Sequence, residues 1–153
     1  AAWNDLTGKD WDKAERKGNA ILQIDPEFGQ AYFLKARLLW LKEGIDQYLE
    51  RKDEFIAKAS HDAAALGRLY NLTGCALDIK KKYEDALPYF KKAALIATNE
   101  PMYIANIAEI YYKLNNADQA LNYANKAKHL GYSSKMMDVI QKNKGVFEID
   151  THE

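Results

Sequence analysis

One cysteine, a net charge of zero and the absence of any long apolar run set the first limits on this 153-residue chain. A single thiol, Cys75, cannot close an internal disulfide, and it makes no metal-ligand spacing with the scattered His61, His129 and His152. The 22 basic and 22 acidic side chains cancel, so the summed field that would draw nucleic acid or an anionic surface is missing. No apolar run approaches the roughly 20 residues needed to span a bilayer, and no basic-then-apolar leader opens the chain. No membrane insertion is therefore expected, and the chain reads as soluble, with the cytoplasm favoured over the periplasm or export. No glycine-rich phosphate loop, paired-carboxylate motif or zinc spacing appears, and no histidine stands at a motif spacing from a Ser, Cys or Asp. The reading is of a protein that is not an enzyme and needs no metal or cofactor. Asn71-Leu72-Thr73 matches a glycosylation acceptor, but it falls in mid-helix, where the modification needs an accessible loop. The start at Ala1-Ala2-Trp3, without methionine, suggests a processed protein or a piece of a longer one.

What is present is self-similarity. Tyr83-Glu84-Asp85-Ala86 and Ala117-Asp118-Gln119-Ala120 lie 34 positions apart, and the same offset pairs Gly74 with Ala108, Tyr70 with Ile104, Phe90 with Ala124 and Ala93 with Ala127. A fixed period of this length marks a stack of supersecondary units, each burying a face on its neighbour. Upstream, Trp11-Asp12-Lys13-Ala14 followed by Ile24-Asp25-Pro26 has the form of a hairpin's second helix and the turn that ends it. Small residues, with Gly74 expected to face Ala86 and Ala108 to face Ala120, let helices approach closely. Pro101 suits a helix start, and Asn115-Asn116 supplies a turn.

These residues resemble the tetratricopeptide repeat family, whose unit of about 34 residues places aromatics, small residues and a proline at these offsets. The resemblance covers most of the chain and implies an all-α fold: stacked antiparallel hairpins in a right-handed superhelix, closed by a C-terminal capping helix. In that frame residues 1–28 are a partial repeat, 29–66 a divergent one, 67–100 and 101–134 regular ones, and 134–144 the cap; together, 1–144 form the repeat domain. Gln141 and Lys142 would end the stack, and 145–153 would be a loosely held tail. The segment 29–66 has 38 residues and no Ala at the position where the others carry one. Its Ile45, Tyr48, Leu49, Phe55, Ile56 and Ala59 share one helix face. Four extra residues make about one helical turn, so this hairpin is expected to carry a lengthened helix and to protrude.

The resemblance further implies a concave groove lined by the first helix of each repeat. Carried over residue by residue, the groove positions are Gln30, Phe33, Arg37, Trp40 and Leu41; Arg68, Asn71, Cys75, Asp78 and Ile79; and Met102, Ala105, Glu109, Tyr112 and Lys113. Aromatics and arginine are the side chains that anchor interfaces, and Phe33, Arg37 and Trp40 stand one turn apart. Trp40 has a second reading, as packing beneath the lengthened hairpin. Chaperone-tail-binding members of the family hold a terminal carboxylate with lysines, asparagines and an arginine; this chain offers Arg37, Cys75 and Glu109 at one key position, and Glu109 would repel it. Lys80-Lys81-Lys82 reads as a solvated turn, with contact to an acidic partner as the alternative. Lys91 and Lys92, on a second helix, should face away from the groove. The expected function is to hold a protein or peptide partner in the groove. Self-association through the groove or through an apolar end at Trp3 and Leu6 is the second reading, making a homo-oligomer, and a regulatory array attached to an enzyme is the third.

Overall fold

The computed structural model describes the backbone of residues 10–150 and the side chains of residues 10–143. Among these, eight helices and no strand are found: α1 (Trp11–Ile24), α2 (Gly29–Glu43), α3 (Ile45–Lys58), α4 (Ala63–Ile79), α5 (Tyr83–Ile96), α6 (Pro101–Lys113), α7 (Ala117–His129) and α8 (Lys135–Asp150). The chain divides inside α4, after Ala76, into two compact units. The apolar ends expected at Trp3 and Leu6, and His152, lie outside the described residues.

In the first unit α1 packs on α2, and α2 on α3. Ala14, Leu34 and Leu38 make one small cluster between α1 and α2. The larger core joins Ala36 of α2, Tyr48 and Phe55 of α3, and Ala65, Leu69 and Ala76 of α4. Tyr48 is fully buried, so its hydroxyl needs a partner there; it finds Thr73 Oγ1 at 2.7 Å, and Thr73 donates in turn to the Leu69 carbonyl at 2.8 Å. That contact also shows the acceptor sequence at Asn71 to be closed, because Thr73 has no exposed surface. Gly29 opens α2 where any larger residue would collide with Asp62: an added Cβ would meet the Asp62 Cβ at 2.5 Å.

The surplus turn is not where the repeat frame put it. α2 and α3 have 15 and 14 residues and are joined through Gly44 alone, at φ +99°, so the hairpin expected to protrude has helices of ordinary length. α4, by contrast, has 17 residues against 13 in the corresponding α6. The extra turn is Ala63-Ala64-Ala65-Leu66, and its cause is local. Asp62 accepts from the Ala65 N–H at 3.2 Å as an N-cap, and the three alanines after it are the best helix formers. α4 thus begins at Ala63, four residues before the helix start that the repeat frame places at Gly67.

In the second unit α5 packs on α6, α6 on α7, and α8 on both α6 and α7. Its core is built mainly from alanine: Ala105, Ala108, Ala120, Ala124 and Ala127, with Met137 and Ile140 from α8. Ala108 and Ala120 therefore do share one packed cluster. Asn116 caps α7 through the Gln119 N–H at 3.2 Å, and Ser134 caps α8 through the Met137 N–H at the same distance. α8 does not stop at 144 to leave a tail; its backbone stays helical to Asp150. A lone Gly145 costs about 1 kcal/mol relative to alanine, too little to end a helix by itself.

Candidate protein-interaction faces

Within the first unit, the sequence-derived residues of α2 and α4 meet on one face. Arg68 donates to Gln30 Oε1 at 3.0 Å, and its guanidinium carbon stands 5.8 Å from the centroid of the Phe33 ring. Asn71 Nδ2 lies 4.0 Å from Cys75 Sγ along α4. Trp40 stacks on the buried Tyr48 with ring centroids 6.0 Å apart and lines an open recess of about 270 Å³ with Arg37, Leu41 and Leu72. Arg37, Trp40 and Leu41 stand at i, i+3 and i+4, which puts them side by side on one helix. Arg37 is half-buried, yet makes no hydrogen bond or ion pair with the described residues.

Leu72 was absent from the sequence-derived set. It reaches the recess because α4 packs on α2 through Arg68 against Gln30 and Phe33, a relationship that no periodicity within α4 encodes.

Within the second unit the carried-over residues behave differently. Lys113 forms an ion pair with Asp78 at 2.6 Å and lies 5.6 Å from the centre of the Tyr83 ring. Glu109 stands one helical turn before Lys113; burial pushes its carboxyl above the ordinary glutamate value and Asp78 adds to the rise, while Lys113 opposes it. Asp78 and Lys113 thus answer each other's charge, with Glu109 a second, half-buried carboxyl beside them. Tyr112 accepts a hydrogen bond from Asn143 of α8. Met102 and Ile79 are exposed apolar residues. Ala105, expected to line the groove, is instead buried in the α6–α8 core. Glu109 and Lys113 are also not the loose rim charges that groove positions suggest, since each is half-buried among the others.

Three histidines offered themselves in the sequence; of the described pair, His61 hydrogen-bonds through Nε2 to the Glu27 carbonyl and so ties the α3–α4 turn to the α1–α2 turn. Among the described residues, no cluster of His, Cys, Asp and Glu could hold a metal ion, and no helix is long and apolar enough to cross a membrane.

No protein-family model matches the chain, and no curated protein matches it. Solved structures do. A crystal structure of MamA is 16% identical, covers 94% of this chain and 84% of its own, and superposes with a TM-score of 0.69. A MamA double mutant, RS-1 ArsTM, is 13% identical over 94% of this chain and 80% of its own, with a TM-score of 0.70. The Pseudomonas aeruginosa protein PilF is 18% identical over 96% of this chain and 81% of its own, with a TM-score of 0.54. These are helical-repeat proteins of the tetratricopeptide type, and at such identities the likeness is one of fold.

Proposed function

Since the chain carries the tetratricopeptide-repeat fold, we propose that it is a protein-interaction scaffold and that its principal binding face is the α2–α4 surface of the first unit. One observation carries this reading: Arg37 is half-buried without a partner among the described residues, at the edge of a recess lined by Trp40, Leu41 and Leu72. A partly desolvated guanidinium with no internal acceptor favours an incoming carboxylate or carbonyl. The indole and leucines beside it offer an apolar seat for a neighbouring side chain. The pairing of arginine and tryptophan in a recess is what interface anchors use. The partner that fits is a peptide segment carrying an acidic residue next to a large apolar one. The buried Tyr48 cannot itself be a contact, so an interaction site on that hairpin would have to use its exposed face.

Selection of peptides from a randomised display library against the chain tests this. Recovered binders should share an acidic–apolar pair. Arg37→Gln should weaken them about tenfold, or ~1.4 kcal/mol, with the melting temperature unchanged. Binders that hold equally to Arg37→Gln and Leu41→Ser would move the site elsewhere.

A further inference from the structure

Beyond the α2–α4 face, the two units hold several of their cations differently. In the first unit Lys42, Arg51 and Lys52 are answered by carboxylates, Arg51 also lying 5.1 Å from the centre of the Phe55 ring. Lys42 contacts Asp12 at 2.7 Å and Glu15 at 2.6 Å, Arg51 contacts Glu54 at 3.1 Å, and Lys52 contacts Asp53 at 3.5 Å. In the second unit Lys91 and Lys92 of α5 and Lys126 of α7 lie on tyrosine rings, while Lys128 of α7 donates to Gln141 at 3.5 Å. Lys91 Nζ stands 5.2 Å from the centroid of Tyr111, Lys92 Nζ 5.6 Å from Tyr89, and Lys126 Nζ 4.8 Å from Tyr123. Tyr111 and Tyr123 stack on each other at 5.6 Å, so Lys91, the ring pair and Lys126 form one continuous ladder across α5, α6 and α7. Neither Lys91 nor Lys126 is paired with a carboxylate among the described residues. The sequence shows why: after Asp85 no acidic residue occurs in α5, and after Asp118 none occurs in α7.

We propose that this lysine–tyrosine ladder is a second docking surface, and that its occupant is an acidic segment of a partner protein. A ring face holds an ammonium in place through its quadrupole without neutralising it. The ladder therefore presents cations already fixed in position, which lowers the ordering cost when carboxylates arrive. Nucleic acid is a poorer fit, because the ring faces that would stack on bases are taken by lysines and by each other. A bilayer is a poorer fit as well: Leu95 is the one large hydrophobic strongly exposed among the described residues of α5 and α7, too little for apolar insertion.

The test uses the whole chain and three probes: a polyglutamate peptide, vesicles of phosphatidylcholine with phosphatidylserine, and an oligothymidine strand. Polyglutamate should bind with an affinity that falls as salt rises. The double variant Lys91→Gln/Lys126→Gln should bind it about tenfold more weakly, since ion contacts of this kind contribute up to ~1 kcal/mol each. A matched control, Lys80→Gln/Lys82→Gln, removes the same charge from the turn of the same unit and should change affinity less than about twofold if the ladder is the site. Near-equal losses in the two double variants would show that bulk charge is responsible and overturn the proposal. So would an absence of polyglutamate binding, or tighter binding to the vesicles or to oligothymidine. Circular dichroism melts of both variants distinguish lost binding from lost fold, and Lys91→Arg/Lys126→Arg, which keeps the charges, should restore affinity.

Discussion

On α3, Tyr48 and Phe55 follow the start of their hairpin at Gly29 by 19 and 26 residues; on α7, Ala120 and Ala127 follow the start of theirs at Pro101 by the same 19 and 26. All four are buried. The two hairpins therefore exchange large side chains for small ones at equivalent positions. Tyr48 and Phe55 sit with Leu69 and with Ala36, Ala59, Ala65 and Ala76, and half-buried Trp40, Leu49 and Ile56 pack against them; Ala120 and Ala127 sit with Ala105, Ala108 and Ala124 and with Met137 and Ile140, and half-buried Tyr111, Tyr112, Tyr123 and Tyr132 pack against those. Close packing requires the volume to be filled, whichever helix supplies it. The repeat spacing fixes where two helices meet, and the neighbouring residues decide which one carries the bulk. The exchange has a polar consequence only in the first unit, where a phenol enters the core and Thr73 must meet its hydroxyl.

The largest effects should come from undoing that exchange. Tyr48→Ala leaves an aromatic-sized void in the packed core of α2, α3 and α4 and should cost about 3–5 kcal/mol, with Tyr48→Phe losing only about 1 kcal/mol because Thr73 keeps its bond to the Leu69 carbonyl. Ala120→Leu adds volume at a site with no exposed surface and should cost roughly 1–3 kcal/mol. Urea titrations of the three variants measure this, and a Tyr48→Ala protein as stable as its parent would mean that the two positions are not equivalent.

A middle-sized effect separates the two kinds of hairpin turn. The α2–α3 link is the single Gly44 at φ +99°, whereas Lys81 and Asn115, which are 34 residues apart, both close their turns at φ 60°. Gly44→Ala should destabilise by about 1–3 kcal/mol from the backbone alone, since φ +99° with ψ 170° is a region essentially reserved for glycine, while an added Cβ there meets no atom within 4 Å. Lys81→Gly should stabilise by up to ~1 kcal/mol for the same reason reversed. Thermal melts in which both glycine-related changes act in one direction would refute the shared cause.

The smallest effect concerns charge. Glu109 has its pKa raised by burial, so the folded state binds a proton more readily than the unfolded chain. Its ionisation therefore subtracts stability as pH rises through the window between the ordinary glutamate value and the raised one. Glu109→Gln should raise the melting temperature slightly at neutral pH, and that gain should vanish in acid below the ordinary glutamate value. A gain of equal size at both pH values would point to a cause other than titration.

Much of this molecule was legible in its sequence. The offset of 34 that pairs Ala86 with Ala120 and Phe90 with Ala124, the start at Pro101 and the turn at Asn115-Asn116 are consequences of helical periodicity and capping, which act within a few residues and leave their pattern in the chain. The Asp62 cap followed by three alanines was equally local and marks where α4 begins, although the family frame, anchored on Gly67, passed over it. What only the tertiary structure decided is how side chains distant in sequence meet. Leu72 closes the recess beside Arg37 and Trp40, Thr73 answers Tyr48 across 25 positions, Asp78 takes Lys113 across 35, and Lys91 and Lys126 come to rest on one pair of stacked rings. Those contacts depend on the rotation and separation of packed helices. These are set by the summed volume of a whole interface, and no single segment of sequence carries that sum.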